Sequence, residues 1–211
     1  MSATRERPRL GFLASGRGSN MQAVLDACAD GRLPARPCVV ISNNRDAEAL
    51  VRGARAGLAT RHLSSATHPE PTALDCAIRD ALAEHEVDLV VLAGYMKKVG
   101  PLTLARFHNR IINIHPALLP KFGGQGMYGT RVHAAVLAAG ESVSGPTVHL
   151  VDDEYDRGGV LAQEIVPVQP GDTVERLAAR VLEAEHRLLV TTLARIARGE
   201  LALPESGARP A

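Results

Sequence analysis

Tryptophan is absent from this chain of 211 residues, and aromatic residues of every kind make up only 3% of it. So few flat side chains leave little for unpaired bases to stack on, which argues against a single-strand nucleic-acid binder. Charge of one sign is lacking too: 24 Lys and Arg stand against 23 Asp and Glu, a formal net charge of +1. Nothing there favours a polyanion or an acidic membrane surface. No run approaches the roughly 18 consecutive apolar residues of a membrane span. Residues 1–9 are polar, without the apolar stretch of a secretory signal. The three cysteines, Cys28, Cys38 and Cys76, are far apart and form no Cys-x-x-Cys pair, which fits reduced packing residues better than a disulfide framework. The expectation is a cytoplasmic protein with neither nucleic-acid nor membrane partners.

What is present is a chain 45% hydrophobic and 22% charged, ordinary values for one large domain with a sizeable core. Leu10 to Ala14 reads as a strand, and Ser19 to Ala29 as a helix with Met21, Val24, Leu25 and Cys28 on one face. Cys38 to Ile41 is a second strand, Asp46 to Ala56 a helix, and Thr60 to Leu63 a short third strand. Thr72 to His85 carries a helical stripe through Leu74, Ile78 and Leu82, and Val87 to Leu92 is apolar enough for a strand covered on both faces. Such alternation predicts an α/β fold with a mostly parallel, doubly wound, twisted sheet. Beyond it, Val132 to Ala139 reads as a helix. Ser144 to Val151 and Val160 to Val168 read as an antiparallel C-terminal strand pair. Asp172 is placed to cap a long helix striped by Leu177, Val181 and Leu188, and residues 201–211 form a tail expected to fray.

The segment from Asn113 to Pro120 closes the apolar run Arg110-Ile111-Ile112. On a strand, alternate side chains share a face, so Asn113 and His115 point the same way. Pro116 and Pro120 then stop the strand and discourage a helix. An amide donor and a titratable imidazole thus sit together at a strand's C-terminal end, where open α/β sheets bind ligands. After the first strand, Ser15-Gly16-Arg17-Gly18-Ser19-Asn20 joins a glycine turn to a helix N-terminus, a setting that favours phosphate. A dinucleotide fingerprint needs a third glycine where Met21 stands, and Ser42-Asn43-Asn44 offers no acid for a ribose, so a monophosphate fits better. A plain tight turn and helix cap accounts for the same residues. The acidic stretch Asp152 to Gly159 is by composition a solvated turn, although Asp156 beside two glycines can orient an imidazole. His115, His133 and His149 lack metal-ligand spacing, so no metal is expected, and Ser15 and Ser19 fail the serine-nucleophile pattern.

Taken in order with Ala93-Gly94-Tyr95-Met96, these motifs resemble the glycinamide ribonucleotide formyltransferases, folate-dependent enzymes of purine synthesis. The similarity runs from about Arg9 to Pro204. Asn-x-His-Pro is specific for folate-dependent formyl transfer in general, and the glycine turn with Ser19 and Asn20 points to the purine enzymes. The resemblance implies a Rossmann-like formyltransferase fold with helices on both faces, as a single domain over 1–211. Its half of about 9–100 would bind phosphate and that of about 101–200 would hold folate. It also implies Asn113, His115 and Asp156 as the catalytic group, and Gly18, Ser19, Asn20 and Glu185 for substrate phosphate and ribose. Met96, Lys97, Lys98 and Val99, with Asp152, Asp153, Glu154 and Tyr155, would line the pocket of the cosubstrate 10-formyltetrahydrofolate. A monomer or homodimer is implied, with small molecules as the other partners.

Three positions depart from the family: Pro71 replaces an arginine near folate, Leu182 replaces a lysine, and the loop Gly123 to Gly129 replaces a shorter His-containing one. Three other functions compete. A methionyl-tRNA formyltransferase is expected to carry a further C-terminal domain. A formyltetrahydrofolate hydrolase is expected to carry an N-terminal regulatory one. A non-catalytic nucleotide-binding module leaves Asn113, His115 and Asp156 without a shared task.

Overall fold

A computed structural model describes residues 7–205. Strands and helices alternate strictly through β1 (Arg9–Ala14), α1 (Ser19–Ala29), β2 (Arg36–Ser42), α2 (Glu48–Arg55), β3 (Ala59–His62), α3 (Pro71–Glu84), β4 (Leu89–Leu92), α4 (Pro101–Arg106) and β5 (Ile111–His115). Then come α5 (Thr130–Ala138), β6 (Val143–Ser144), β7 (Thr147–Leu150), β8 (Val160–Gln163), β9 (Val166–Pro167) and α6 (Val174–Arg198). The main sheet runs β3-β2-β1-β4-β5-β7-β8. Its first five strands are parallel, and β7 and β8 are antiparallel additions. The expected α/β class and antiparallel C-terminal strands are both present.

Alternation along β1 explains why helices cover both faces. Leu10, Phe12 and Ala14 pack into one cluster with Met21 and Val24 of α1 and Leu189 and Leu193 of α6. Leu13 points the other way, into a cluster with Ile78 and Leu82 of α3. Gly11 lies on that second face, where a Cβ would come 2.7 Å from Leu82 Cδ2, so only glycine lets α3 approach so closely. The chain moves outward from β1 to β3 and then returns to the centre with β4. The turns after β1 and β4 therefore leave the sheet in opposite directions and open a crevice at the strands' C-terminal ends.

Several boundaries differ from the sequence reading for identifiable reasons. The expected strand from Val87 is shorter, because the Val87 N–H donates to the Leu82 carbonyl and closes α3 instead of joining the sheet. The pair read as Ser144–Val151 with Val160–Val168 is split: β7 pairs with β8, while β6 pairs with β9 in a separate small sheet. Gly145 marks the break, packed so tightly that a Cβ would overlap the Glu164 carbonyl oxygen. Asp172 does not cap the long helix. Thr173 does, its side chain accepting the Arg176 N–H at 3.3 Å, while Asp172 pairs with Arg180 at 2.8 Å. The start of the tail is held down, since Arg110 donates to the Pro204 carbonyl at 2.8 Å and Asn109 to that of Glu205 at 3.0 Å. Residues 206–211, the rest of that expectation, lie outside the described residues. Among the described residues no helix is long and apolar enough to cross a membrane.

The sequence reading missed α4, a six-residue helix too short to show a period. No side chain of its own caps it. Asp75, buried on α3, does so across the fold, accepting from the Leu102 N–H at 2.7 Å, the Thr103 N–H at 3.1 Å and the Thr103 hydroxyl at 2.6 Å. Gly100 makes room for that carboxylate. Asp75→Ala leaves these donors buried and unpaired, so urea unfolding should show a loss of about 2 kcal/mol. Asp80→Ala on the exposed side of the same helix should leave the midpoint essentially where it was.

Candidate active site

β5 and β7 lie antiparallel with Asn113 directly opposite His149, so Asn113, His115 and His149 share one face of the sheet. Asn113 Nδ2 is 3.0 Å from His149 Nε2. Asp156 reaches the same place from the turn between β7 and β8, held in a left-handed conformation at φ 56°. One of its oxygens lies 3.5 Å from His115 Nδ1 and the other 3.5 Å from His149 Nε2. Gly158 permits this turn, since a Cβ there would collide with the Leu150 carbonyl.

Backbone carbonyls fix which nitrogen of each ring carries the proton. His115 Nε2 is 2.8 Å from the Phe122 oxygen, and His149 Nδ1 is 2.7 Å from the Leu150 oxygen. A carbonyl only accepts, so these nitrogens donate, and in the neutral rings His115 Nδ1 and His149 Nε2 face Asp156 unprotonated. Burial pushes the His115 pKa below its ordinary 6.5, only partly offset by the Asp156 charge and the Phe122 carbonyl. Burial alone would raise Asp156, but the facing His149 and His115 rings and the bond from the Gly124 N–H outweigh it and hold the carboxyl below its ordinary value. At neutral pH the pair is therefore a neutral imidazole against a carboxylate, ready to take up and pass on one proton.

This cluster lines a cavity of about 230 Å³. Met96, Lys97, Lys98 and Val99 line it from the loop after β4, and Asp152, Glu154 and Tyr155 from the turn after β7. Asp153 stands outside the lining. Lys98 Nζ lies 5.7 Å from the Tyr155 ring centroid, so the two loops meet there.

A second, more open recess of about 520 Å³ adjoins the first and is formed by the glycine turn, including Gly18, Ser19 and Asn20. Gly18 takes φ 69° just before α1, whose N-terminus has no side-chain cap. A Cβ on Gly18 would lie 2.7 Å from that of Ala49, so the turn demands glycine both for conformation and for space. Buried Asn20 donates to Glu185 Oε2 at 2.6 Å, which ties the turn to α6. Burial pushes the Glu185 carboxyl up to about 7, opposed only by that bond.

The proposed catalytic and substrate residues thus come together, and the sequence reading missed their supports. The sequence offers His149 only as a metal-ligand candidate, because its place opposite Asn113 depends on a strand pairing that no local signal announces. Ser15, Asn43 and Asn44 join the loops: Met96 N–H donates to the Ser15 hydroxyl at 2.7 Å, that hydroxyl donates to Asn43 at 2.5 Å, and Asn44 donates to the Ser15 carbonyl at 2.5 Å. The loop from Gly123 has a structural part as well, because Gly124 N–H donates to Asp156 at 2.9 Å. Pro71 begins α3, where proline fits a helix start, and neither it nor Leu182 lines either cavity. His133 is buried on α5, and burial and the nearby His115 lower its pKa. Among the described residues no three His, Cys, Asp or Glu side chains are arranged to hold a metal ion.

Residues 8–193 match the family model described as formyl transferase. A phosphoribosylglycinamide formyltransferase of Mycobacterium tuberculosis is 46% identical over 189 residues, covering 90% of this chain and 85% of that protein. A chloroplastic protein of the same name from Vigna unguiculata is 43% identical over 188 residues, covering 89% of this chain, which spans only 60% of its length. Among solved structures, glycinamide ribonucleotide transformylase 1 from Symbiobacterium toebii superposes with a TM-score of 0.88 at 44% identity, covering 94% of this chain and 92% of that one. With nearly its whole length matched and the sheet, the turn after β1 and the β5 motif all in place, the chain belongs to the formyl transferase family.

Proposed function

We propose that the chain transfers the formyl group of 10-formyltetrahydrofolate to the amine of glycinamide ribonucleotide, giving formylglycinamide ribonucleotide and tetrahydrofolate. The observation that carries this reading is the convergence of Asn113, His115 and Asp156 in a cavity that adjoins a glycine turn suited to one phosphate. Its relatives' names supply the acceptor and the transferred group, and the folate donor follows from the motif resemblance. The chain acts as one domain in this scheme. The turn of Gly18, Ser19 and Asn20 holds the acceptor phosphate, Glu185 its ribose, and the loops at Met96–Val99 and Asp152–Tyr155 the folate.

The chemistry follows from the residues. An amine of ordinary pKa, about 7.7–8.0, is partly neutral near pH 7 and attacks the formyl carbon directly. No covalent enzyme intermediate is required. The carbonyl oxygen becomes an oxyanion, and Asn113 stabilises it with an N–H. The attacking nitrogen gives its extra proton to His115 Nδ1. The resulting imidazolium is held by Asp156 and is itself a donor to the oxyanion. The same proton then goes to the departing folate nitrogen as the carbon–nitrogen bond breaks. His149 keeps Asn113 and Asp156 in register throughout.

Incubation with both substrates should give formylglycinamide ribonucleotide, and omission of either should abolish product. Folate release without the amine would mark a hydrolase instead. Asn113→Ala removes one oxyanion donor and should lower kcat by about 10²–10³, with an unchanged circular dichroism spectrum. Asp156→Asn removes the charge that chiefly offsets burial of His115, so its NMR titration should move to lower pH than in the parent protein. A titration unmoved or raised would break the proposed coupling.

A further inference from the structure

The loop Gly123–Gly129 carries three side chains, Gln125, Met127 and Tyr128, that the reaction above leaves unused, and only Tyr128 lines both cavities. Asn20, Gly94, Met96, Lys97 and Tyr128 line both cavities and so mark the seam between them. The first four come from α1 and from the segment after β4. Tyr128 alone comes from the loop preceding α5. An acceptor with its phosphate in the glycine turn and its amine at His115 has to cross this seam.

The loop is positioned to keep Tyr128 there. It is tied at its base to the reactive groups, through the Phe122 carbonyl to His115 and the Gly124 N–H to Asp156. A Cβ on Gly123 would lie 2.5 Å from Leu119 Cδ2, so the base is also closely packed. Arg131, at the start of α5, places its guanidinium 4.9 Å from the Tyr128 ring centroid, within cation–π range. Yet Tyr128 remains 45% exposed. A ring braced by a cation and still open to solvent has surface left for a ligand.

We propose that Tyr128 is an acceptor-binding residue, its ring covering the sugar and amide between phosphate and amine, with Arg131 as the residue that positions the ring. The inference rests on the function proposed above. It also gives the variant loop a task in acceptor recognition.

Steady-state kinetics with glycinamide ribonucleotide and 10-formyltetrahydrofolate varied separately test it in the parent protein, Tyr128→Ala, Tyr128→Phe and Arg131→Leu. Tyr128→Ala should raise KM for the ribonucleotide by about tenfold, the scale of one lost ring contact, and by more than it changes KM for folate. Tyr128→Phe, which keeps the ring, should recover most of that loss, and Arg131→Leu should show a smaller rise in the same KM. A parent protein that turns over normally, with Tyr128→Ala unchanged in acceptor KM, overturns the inference and leaves the function standing. A rise confined to the folate KM places the ring on the donor side and also overturns it. A parent protein inert toward both substrates removes the proposed function and this inference with it.

Discussion

The carboxylate of Asp156 is the point on which the site depends. It faces His115 from β5 and His149 from β7, and it accepts the Gly124 N–H from the loop before α5. Two strands, a turn and a loop are thus referred to one group. The arrangement holds residue 156 in a left-handed conformation and requires a glycine at 158, where a Cβ would collide with the Leu150 carbonyl. Such local strain is sustained where surrounding contacts over-determine the conformation, as the two imidazoles and the amide do here. The charge itself is kept ionised by those same partners, against the effect of burial.

The sheet explains why the cluster sits beside a phosphate-type turn at all. The order β3-β2-β1-β4-β5 makes β1 and β4 neighbours whose following loops diverge. The turn at Gly18 and the loop at Met96 therefore flank one crevice, and the Ser15 hydroxyl ties them together by accepting the Met96 N–H. β5 adds Asn113 and His115 at the next position, and the antiparallel β7 brings His149 alongside. Asp75 extends the same logic outward. By capping α4 it anchors the far end of the loop that starts after β4.

Much of this was legible in the sequence wherever the signal is local. α1 has the predicted bounds because its apolar period and its glycine start agree; β1 begins one residue earlier than predicted, and β3 is shifted by one residue at both ends. Asn113 and His115 stand on one strand and were readable from its period of two. Asp156 needed the family resemblance, since four acids in a turn look like solvent exposure. His149 was out of reach because strand pairing across the intervening segments is a long-range fact. α4 was missed for a related reason: its cap, Asp75, belongs to another helix. The same holds for the loop from Gly123, whose glycines give conformational freedom but no hint of contact with Asp156.

The measurement that bears most directly on this account is a crystal structure with glycinamide ribonucleotide bound. The account predicts its phosphate against the Gly18–Asn20 backbone and its amine within about 3.5 Å of His115 Nδ1, on the Asp156 side. A ribonucleotide bound elsewhere, or with its amine directed away from the His115–Asp156 pair, would contradict it.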